Sequence, residues 1–391
     1  MRSQKQYTLR SKEVHDRATG VILGNVGIKD HGYKCLAATM VTILFYAASR
    51  VTSLYDACQR LVNAPTDEAM RQALSATLPP INKLERQLNN ALGVDLPKAL
   101  RKRPQLLAID LTLIPYHGRP CVSENEIYRG EPKSGTSHFH AYATAYVIRK
   151  GHRFTVAMTY VLAGDPMKEV IQRLLQNASR HGVKPRILLM DRGFHSVEVI
   201  RYLQRARYPF IMPTAKRGRK PAKPNAQSIW RFFNSKRSGW GRHTWTGPRG
   251  EKATAQICVA CGNFRGKWGR QHRRTFVYSY WNIPSHSCEW FRETYRSRFA
   301  IETTYRQMNE ARINTCTRDP LLRLLFVGMA LILRNVWVWL HLTCLAKYVG
   351  RKLVLHLERL RFRRMLLWLQ HHAESLFGIE DFTVAQLPMP P

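Results

Sequence analysis

The segment Gln105–Tyr116, QLLAIDLTLIPY, is an apolar run with one carboxylate, Asp110, at its centre. A buried strand tolerates a lone Asp only where something compensates its charge, because desolvating a carboxylate is costly. Two alternating β-rich runs follow, HFHAYATAYVIR (His138–Arg149) and RFTVAMTYVLA (Arg153–Ala163). Lys150-Gly151-His152 between them is a hairpin signal. Asp165-Pro166 then reads as the start of a helix that Gly182 closes. RILLMD (Arg186–Asp191) is a short buried strand ending on a second carboxylate, Asp191. A helix from about Ser196 to Ala206 and the strand YPFIMP (Tyr208–Pro213) complete the run. Three strands in a meander followed by helical crossovers predict a mixed α/β sheet with helices on its faces. If the first and fourth strands are neighbours, Asp110 and Asp191 meet at one end of the sheet.

A third carboxylate comes from Glu289–Arg312, EWFRETYRSRFAIETTYRQMNEAR. No proline or glycine interrupts it, so the expectation is one helix of about six turns. At roughly 100° per residue, Tyr295, Arg298, Glu302, Arg306 and Asn309 fall within an arc of about 80°. Trp290, Ile301 and Met308 lie on the other side and suit a core. Arginines beside a Glu fit a surface for phosphate and metal; they equally fit a solvated face with i, i+4 ion pairs. Asp110, Asp191 and Glu302, with no convergent His/Cys set, favour a hard ion such as Mg²⁺ or Mn²⁺.

The 391 residues carry 62 Lys+Arg against 26 Asp+Glu, a net charge of +36, with 45% hydrophobic residues. This is a folded, polyanion-binding composition: nucleic acid first, an anionic membrane surface second. Ala37–Ala48 is too short to span a bilayer, and Leu324–Ala346 carries Arg334 and Asn335 at its middle; both read as buried helices, with no membrane partner. No secretory signal is visible, and eight irregularly spaced cysteines do not suggest a disulfide framework; the expected setting is cytoplasmic.

Residues 1–103 read as a helical N-terminal domain, with helices at Cys35–Ser49, Asp67–Leu78 and Ile81–Leu92, suited either to packing or to binding DNA ends. Residues 104–213 form the first part of the α/β core. Residues 214–288 read as a basic, β-rich insertion; positions 201–274 hold 19 Lys+Arg and a single acid, Glu251. Trp240, Trp245, Trp268 and Trp281 are interleaved with these cations and could stack on bases or pack in the sheet. Cys258-x2-Cys261 has no second ligand pair at finger spacing. Residues 289–345 read as the C-terminal helices of the core. Residues 346–391 read as a tail whose KLVLHLERLRFRRMLLWLQ is an amphipathic basic helix.

Three motifs together resemble a known family. LLAIDLT surrounds Asp110. Asp191-Arg192-Gly193-Phe194 is similar to an Asp-x-Gly-Phe/Tyr motif. Tyr295, Arg298 and Glu302 are similar to Tyr-x2-Arg-x3-Glu-x6-Lys, with Asn309 where the Lys is expected. These and RLLFVGMALILRNVWVWL resemble a DDE transposase of the insertion-sequence-four type, in its halobacterial insertion-sequence branch, over about residues 104–345. The resemblance implies a ribonuclease-H-like catalytic core and cleavage and transfer of DNA strands. It implies two Mg²⁺ (or Mn²⁺) ions on Asp110, Asp191 and Glu302. It implies DNA phosphate contacts from Tyr295, Arg298, Asn309, Arg192 and Arg306, the last in place of the missing Lys. It also implies a homodimer on terminal inverted repeats and target DNA, at the nucleoid. A nuclease of the same fold, or a non-catalytic DNA-binding descendant, stays open on sequence alone.

Overall fold

The computed structural model describes residues 8–216, 228–265, 269, 271–350 and 352–380. The chain divides after Asp95 and again after Tyr305 into two compact units, one formed by its ends and one by its middle.

The N-terminal segment supplies α1 (Ser11–Leu23), α2 (Ala37–Arg50), α3 (Leu54–Arg60), α4 (Asp67–Thr77) and α5 (Ile81–Val94). Ser53 and Thr66 cap α3 and α4 through their hydroxyls, as short polar residues do at orphan N–H groups. The expected helices are present as α2, α4 and α5. In α1, which was not expected, Val14, Ala18, Val21 and Ile22 make a buried stripe at helical spacing. Gly93 does not end α5 but lies buried inside it.

The middle unit opens with the short α6 (Lys98–Arg101) and the long β1 (Gln105–Pro115). After it come β2 (Tyr128–Lys133), β3 (Thr136–Val147), β4 (Thr155–Val161), α7 (Met167–Arg180), β5 (Pro185–Met190), α8 (Val197–Arg205) and β6 (Phe210–Pro213). The insertion contributes α9 (Trp230–Phe233), β7 (Gly239–Thr246), β8 (Lys252–Arg265) and β9 (Gln271–Trp281). All nine strands lie in one mixed sheet of order β2-β3-β1-β5-β6-β9-β8-β7, with β4 also on β3. β1 runs antiparallel to β3 and parallel to β5, and β5 parallel to β6. The insertion is an antiparallel meander that joins the same sheet, with β9 paired to β6 from Phe210↔Trp281 to Pro213↔Tyr278. The expected helix start at Asp165 is displaced: its carboxylate accepts from Arg173 and from the Leu162 N–H, and the helix begins at Met167.

The long helix expected over Glu289–Arg312 is broken. α10 (Cys288–Arg296) ends in a 3₁₀ turn, Ser297–Phe299, before α11 (Ala300–Glu310) begins. No proline or glycine causes the break; it coincides with Arg298, which is buried and pairs with Asp110 and Asp191. The tighter turn changes the wheel, so Tyr295 and Arg298 are both about 6% exposed instead of lying on an open face.

The region expected to close the core, 289–345, is therefore shared: through Tyr305 it belongs to the middle unit, and from Arg306 onward to the helical one. α12 (Pro320–Leu340) starts on the Asp319 cap and is buried along almost its whole length. It is long and apolar enough to cross a membrane, yet 94% of its most apolar window is buried. Arg334 donates to Gln307 and Asn335 to the Leu92 carbonyl, so its polar residues are matched internally. Gly328 lets α5 approach, since a Cβ there would sit 2.7 Å from Leu88. The tail departs from expectation. Lys347–Val349 and Lys352–Val354 pair as a small hairpin around Gly350, whose φ of +58° favours glycine. Among the described residues of the tail only α13 (Phe362–Phe377) is helical.

Candidate active site

Period-two alternation decides where the carboxylates point. Ala108 on β1 is paired with Leu189 on β5. Asp110 and Asp191 are each two residues further on, so they emerge side by side on the face that carries Ala108 and Leu189. Leu189 lies in a cluster with Phe291 and Tyr295 of α10, and Ala108 in one with Tyr146 and Ile301 of α11. The face bearing the aspartates is thus the one that α10 and α11 cover.

Arg298, in the turn between those helices, closes the site. Its Nη1 donates to Asp110 Oδ2 at 2.9 Å, and its Nη2 lies 3.7 Å from Asp191 Oδ1. Tyr295 lies behind the guanidinium, with its ring centroid 5.6 Å from Arg298 Cζ. Arg298 Nε is buried with no acceptor. The Asp110 side chain is 17% exposed and that of Asp191 48%. Burial pushes the Asp110 carboxyl up to about 6; Arg298 opposes this and the Asp191 charge adds to it. The Leu111 N–H also donates to Asp110 Oδ1. Burial likewise raises the Tyr295 phenol, so it stays a neutral hydrogen-bonding group.

Glu302 is exposed on the first turn of α11 and makes no ion pair among the described residues; the expected i, i+4 pairs with Arg298 and Arg306 do not form. Among the described residues no three His, Cys, Asp or Glu side chains form a group that could hold a metal. Two of the three expected ligands therefore converge, and the third stands one turn beyond their shared arginine. All three donors are carboxylate oxygens, and the two that converge already attract a cationic group. That chemistry fits Mg²⁺ or Mn²⁺. Arg306 and Asn309 are exposed further along α11, within the helical unit.

The loop after β5 shapes the open side. Asp191 and Arg192 line a cavity of about 580 Å³ with Glu131, Gly193, Ala215 and Lys216. Arg192 also borders a second cavity, of about 410 Å³, lined by Arg274, Arg292, Arg296 and by the rings of Phe233, Phe276, Tyr278, Tyr295 and Phe299. Of the four tryptophans singled out from sequence, the three among the described residues do not line it. Trp240 is 48% exposed and packs edge-on against Tyr280 and Phe291. Trp245, five residues along β7 and so on its opposite face, contacts His195 and His243. Trp281 borders a third hollow with Arg242 and Lys252, and Trp268 lies outside the described residues. Cys258 and Cys261 point to opposite faces of β8: the first is in the core, the second beside Ser235 and Thr275.

Three groups were missed from sequence. Glu131 faces the Asp191 cavity from β2. Buried His195 ties the Asp191 loop to the insertion, with Nε2 3.0 Å from Ser279 Oγ, which also meets Thr214 Oγ1 at 2.7 Å. Tyr305 bonds to the backbone of Asp110. The spacing Asp191-x3-His195 was visible, but nothing in it distinguished a buried anchor from a surface histidine.

Residues 101–336, more than half of the chain, match the transposase DDE domain family, and the chain belongs to that family. It is a DNA transposase, an enzyme that cleaves and transfers DNA strands, and such enzymes depend on divalent metal. The chain is similar in fold to a piggyBac transposase solved by cryo-EM as a synaptic complex with hairpin DNA. The identity is 10%, over 93% of this chain and 80% of that one, with a TM-score of 0.58. The mixed sheet with its flanking helices is thus the ribonuclease-H-like fold of a transposase. No curated protein matches the chain.

Proposed function

We propose that Asp110, Asp191 and Glu302 are the catalytic carboxylates and that they hold two Mg²⁺ (or Mn²⁺) ions for cleavage at terminal inverted repeats and joining to target DNA. The observation that carries this is the convergence of Asp110 and Asp191, from adjacent parallel strands, on one buried guanidinium. When bound, such ions polarise the scissile phosphate and favour the deprotonated form of the attacking water or 3′-hydroxyl. The chain's own residues do the rest. Arg298 presents a planar fork to phosphate oxygens as charge builds during in-line attack. Tyr295, buried behind it, keeps the guanidinium in place. Arg192, at the junction of two cavities, binds the strand entering the site. Arg306 and Asn309 contact phosphates further along, with Arg306 supplying the charge that the Asn309 position lacks.

The stacking role read for the tryptophans is better supported in the arginine-lined aromatic cavity that Arg192 borders, and half-exposed Trp240 offers a separate platform on β7. Because both element ends must be held together, the acting form is a homodimer in a synaptic complex, at the nucleoid. The Asp191-Arg192-Gly193-Phe194 and Tyr295/Arg298/Glu302 spacings support the insertion-sequence-four type and its halobacterial branch.

The test is cleavage of a labelled terminal-repeat duplex by Asp110→Asn, Asp191→Asn and Glu302→Gln. Each is expected to lose cleavage by at least about 10³-fold while keeping end binding, since ligands serve chemistry and the basic surface serves binding. Near wild-type cleavage by any of the three would remove that residue from the set.

A further inference from the structure

We propose that Tyr305 is a positioning residue whose hydroxyl fixes the distance between the strand carrying Asp110 and the helix carrying Glu302; the inference rests on the reading of those two carboxylates as metal ligands. The Tyr305 hydroxyl donates to the main-chain carbonyl of Asp110 at 3.0 Å. Its oxygen lies 2.8 Å from Thr144 Oγ1. A phenol has one proton, and here it goes to the carbonyl, so Thr144 is the donor in the second bond. Thr144 is the cross-strand partner of Asp110 and is buried. The relay Thr144 → Tyr305 → Asp110 carbonyl therefore pins α11 to both strands at the level of the catalytic carboxylate.

Glu302 is three residues before Tyr305 on the same helix, and i, i+3 side chains are neighbours. Whatever fixes Tyr305 fixes Glu302. The apolar contacts of α11 with this part of the sheet are Ile301 on Ala108 and Tyr146, with Ala300 and the Tyr305 ring packed beside them. Apolar packing is non-directional and lets a helix slide, whereas a hydrogen bond is held to a few tenths of an ångström. Metal ligation tolerates only about 0.2 Å of error. The hydroxyl, rather than the ring, is thus the part of Tyr305 that matters for ligand spacing.

Tyr305→Phe keeps the ring and removes only the hydroxyl. Mn²⁺ binding to the full DNA-free chain, measured by calorimetry, should weaken about tenfold, the lower end of what loss of a ligand-orienting group costs. The Mn²⁺ concentration for half-maximal cleavage should rise by a similar factor, with end binding unchanged. Thr144→Val, which removes the relay's donor, should shift the same midpoint in the same direction and by less. Wild-type Mn²⁺ affinity in Tyr305→Phe overturns the proposal, whether or not its melting temperature falls, because a purely structural role moves only the latter. Asp110→Asn and Glu302→Gln serve as the comparison. If they too bind Mn²⁺ normally, the ligand reading fails and takes this inference with it. If they lose Mn²⁺ while Tyr305→Phe does not, this inference alone fails.

Discussion

Asp110 was readable because a charge in an apolar strand has few explanations, and its raised pKa is the energetic trace of that oddity. In the folded chain its carboxyl sits near 6 against an ordinary 3.8, burial being the main cause. A pKa raised on folding means that the stabilising, protonated form is fully present below about 4 and is lost as pH rises through about 6. Asp110→Asn mimics that form. In the metal-free protein the variant should melt together with the wild type near pH 4 and above it at pH 7, by on the order of 2 kcal/mol. Parallel melting curves from pH 4 to 7 would show that Asp110 is not held in this way. The wheel placed Arg298 on the face of Glu302, whereas in the structure it is buried and pairs with Asp110 and Asp191; a helical wheel has no information about what lies across the sheet. Its burial changes what its removal does. Arg298→Ala strands two aspartates without a counter-charge and should cost about 3–5 kcal/mol. Added Mg²⁺ should restore part of that loss in a melting experiment, because a cation is what the aspartates then lack. Tyr305 was invisible for a different reason: an aromatic residue on a helix reads as core, and only the structure shows that its hydroxyl bonds to the Asp110 carbonyl.

The elements of the core followed from their patterns, and their exceptions have local causes. β1, β3, β4, β5 and β6 appear where apolar alternation put them, and the parallel pairing of β1 with β5 follows from the helical crossover between them. The break between α10 and α11 could not be read, because it answers to a tertiary pairing rather than to a helix-breaking residue. The tail failed for the opposite reason: its apolar period resembles a helix, and Gly350 turns it into a hairpin first. At this scale the insertion's charge can be tested directly. Cutting the insertion out would remove β9 from beside β6, so charge substitution is the better experiment. Arg242, Lys252, Arg273 and Arg274 lie on its strands. Replacing all four by Gln should flatten the dependence of log K on log[salt] by about 0.9 for each phosphate no longer neutralised. An unchanged slope would locate the footprint on other residues.

At the scale of the whole molecule, the surplus of 36 positive charges said that the partner is a polyanion, and membership of the transposase DDE domain family makes that partner DNA. What composition could not say is how the insertion attaches. The sequence shows only a basic, β-rich insertion between two core motifs, whereas in the structure β9 continues the core sheet through β6, and His195 bonds Ser279 within it. A lobe on a hinge would exchange its backbone amides as a separate, faster block. One sheet should instead show β6 and β9 protected in the same slow phase as β1 and β5, and hydrogen exchange read by mass spectrometry separates the two cases. The mechanical consequence is that the sheet works as a beam with the aspartates partway along it. In the proposed reading, a DNA end held on the β7–β8 hairpin would load the same beam that leads to Asp191, and tension at the far edge would reach the proposed cutting point as a twist between strands.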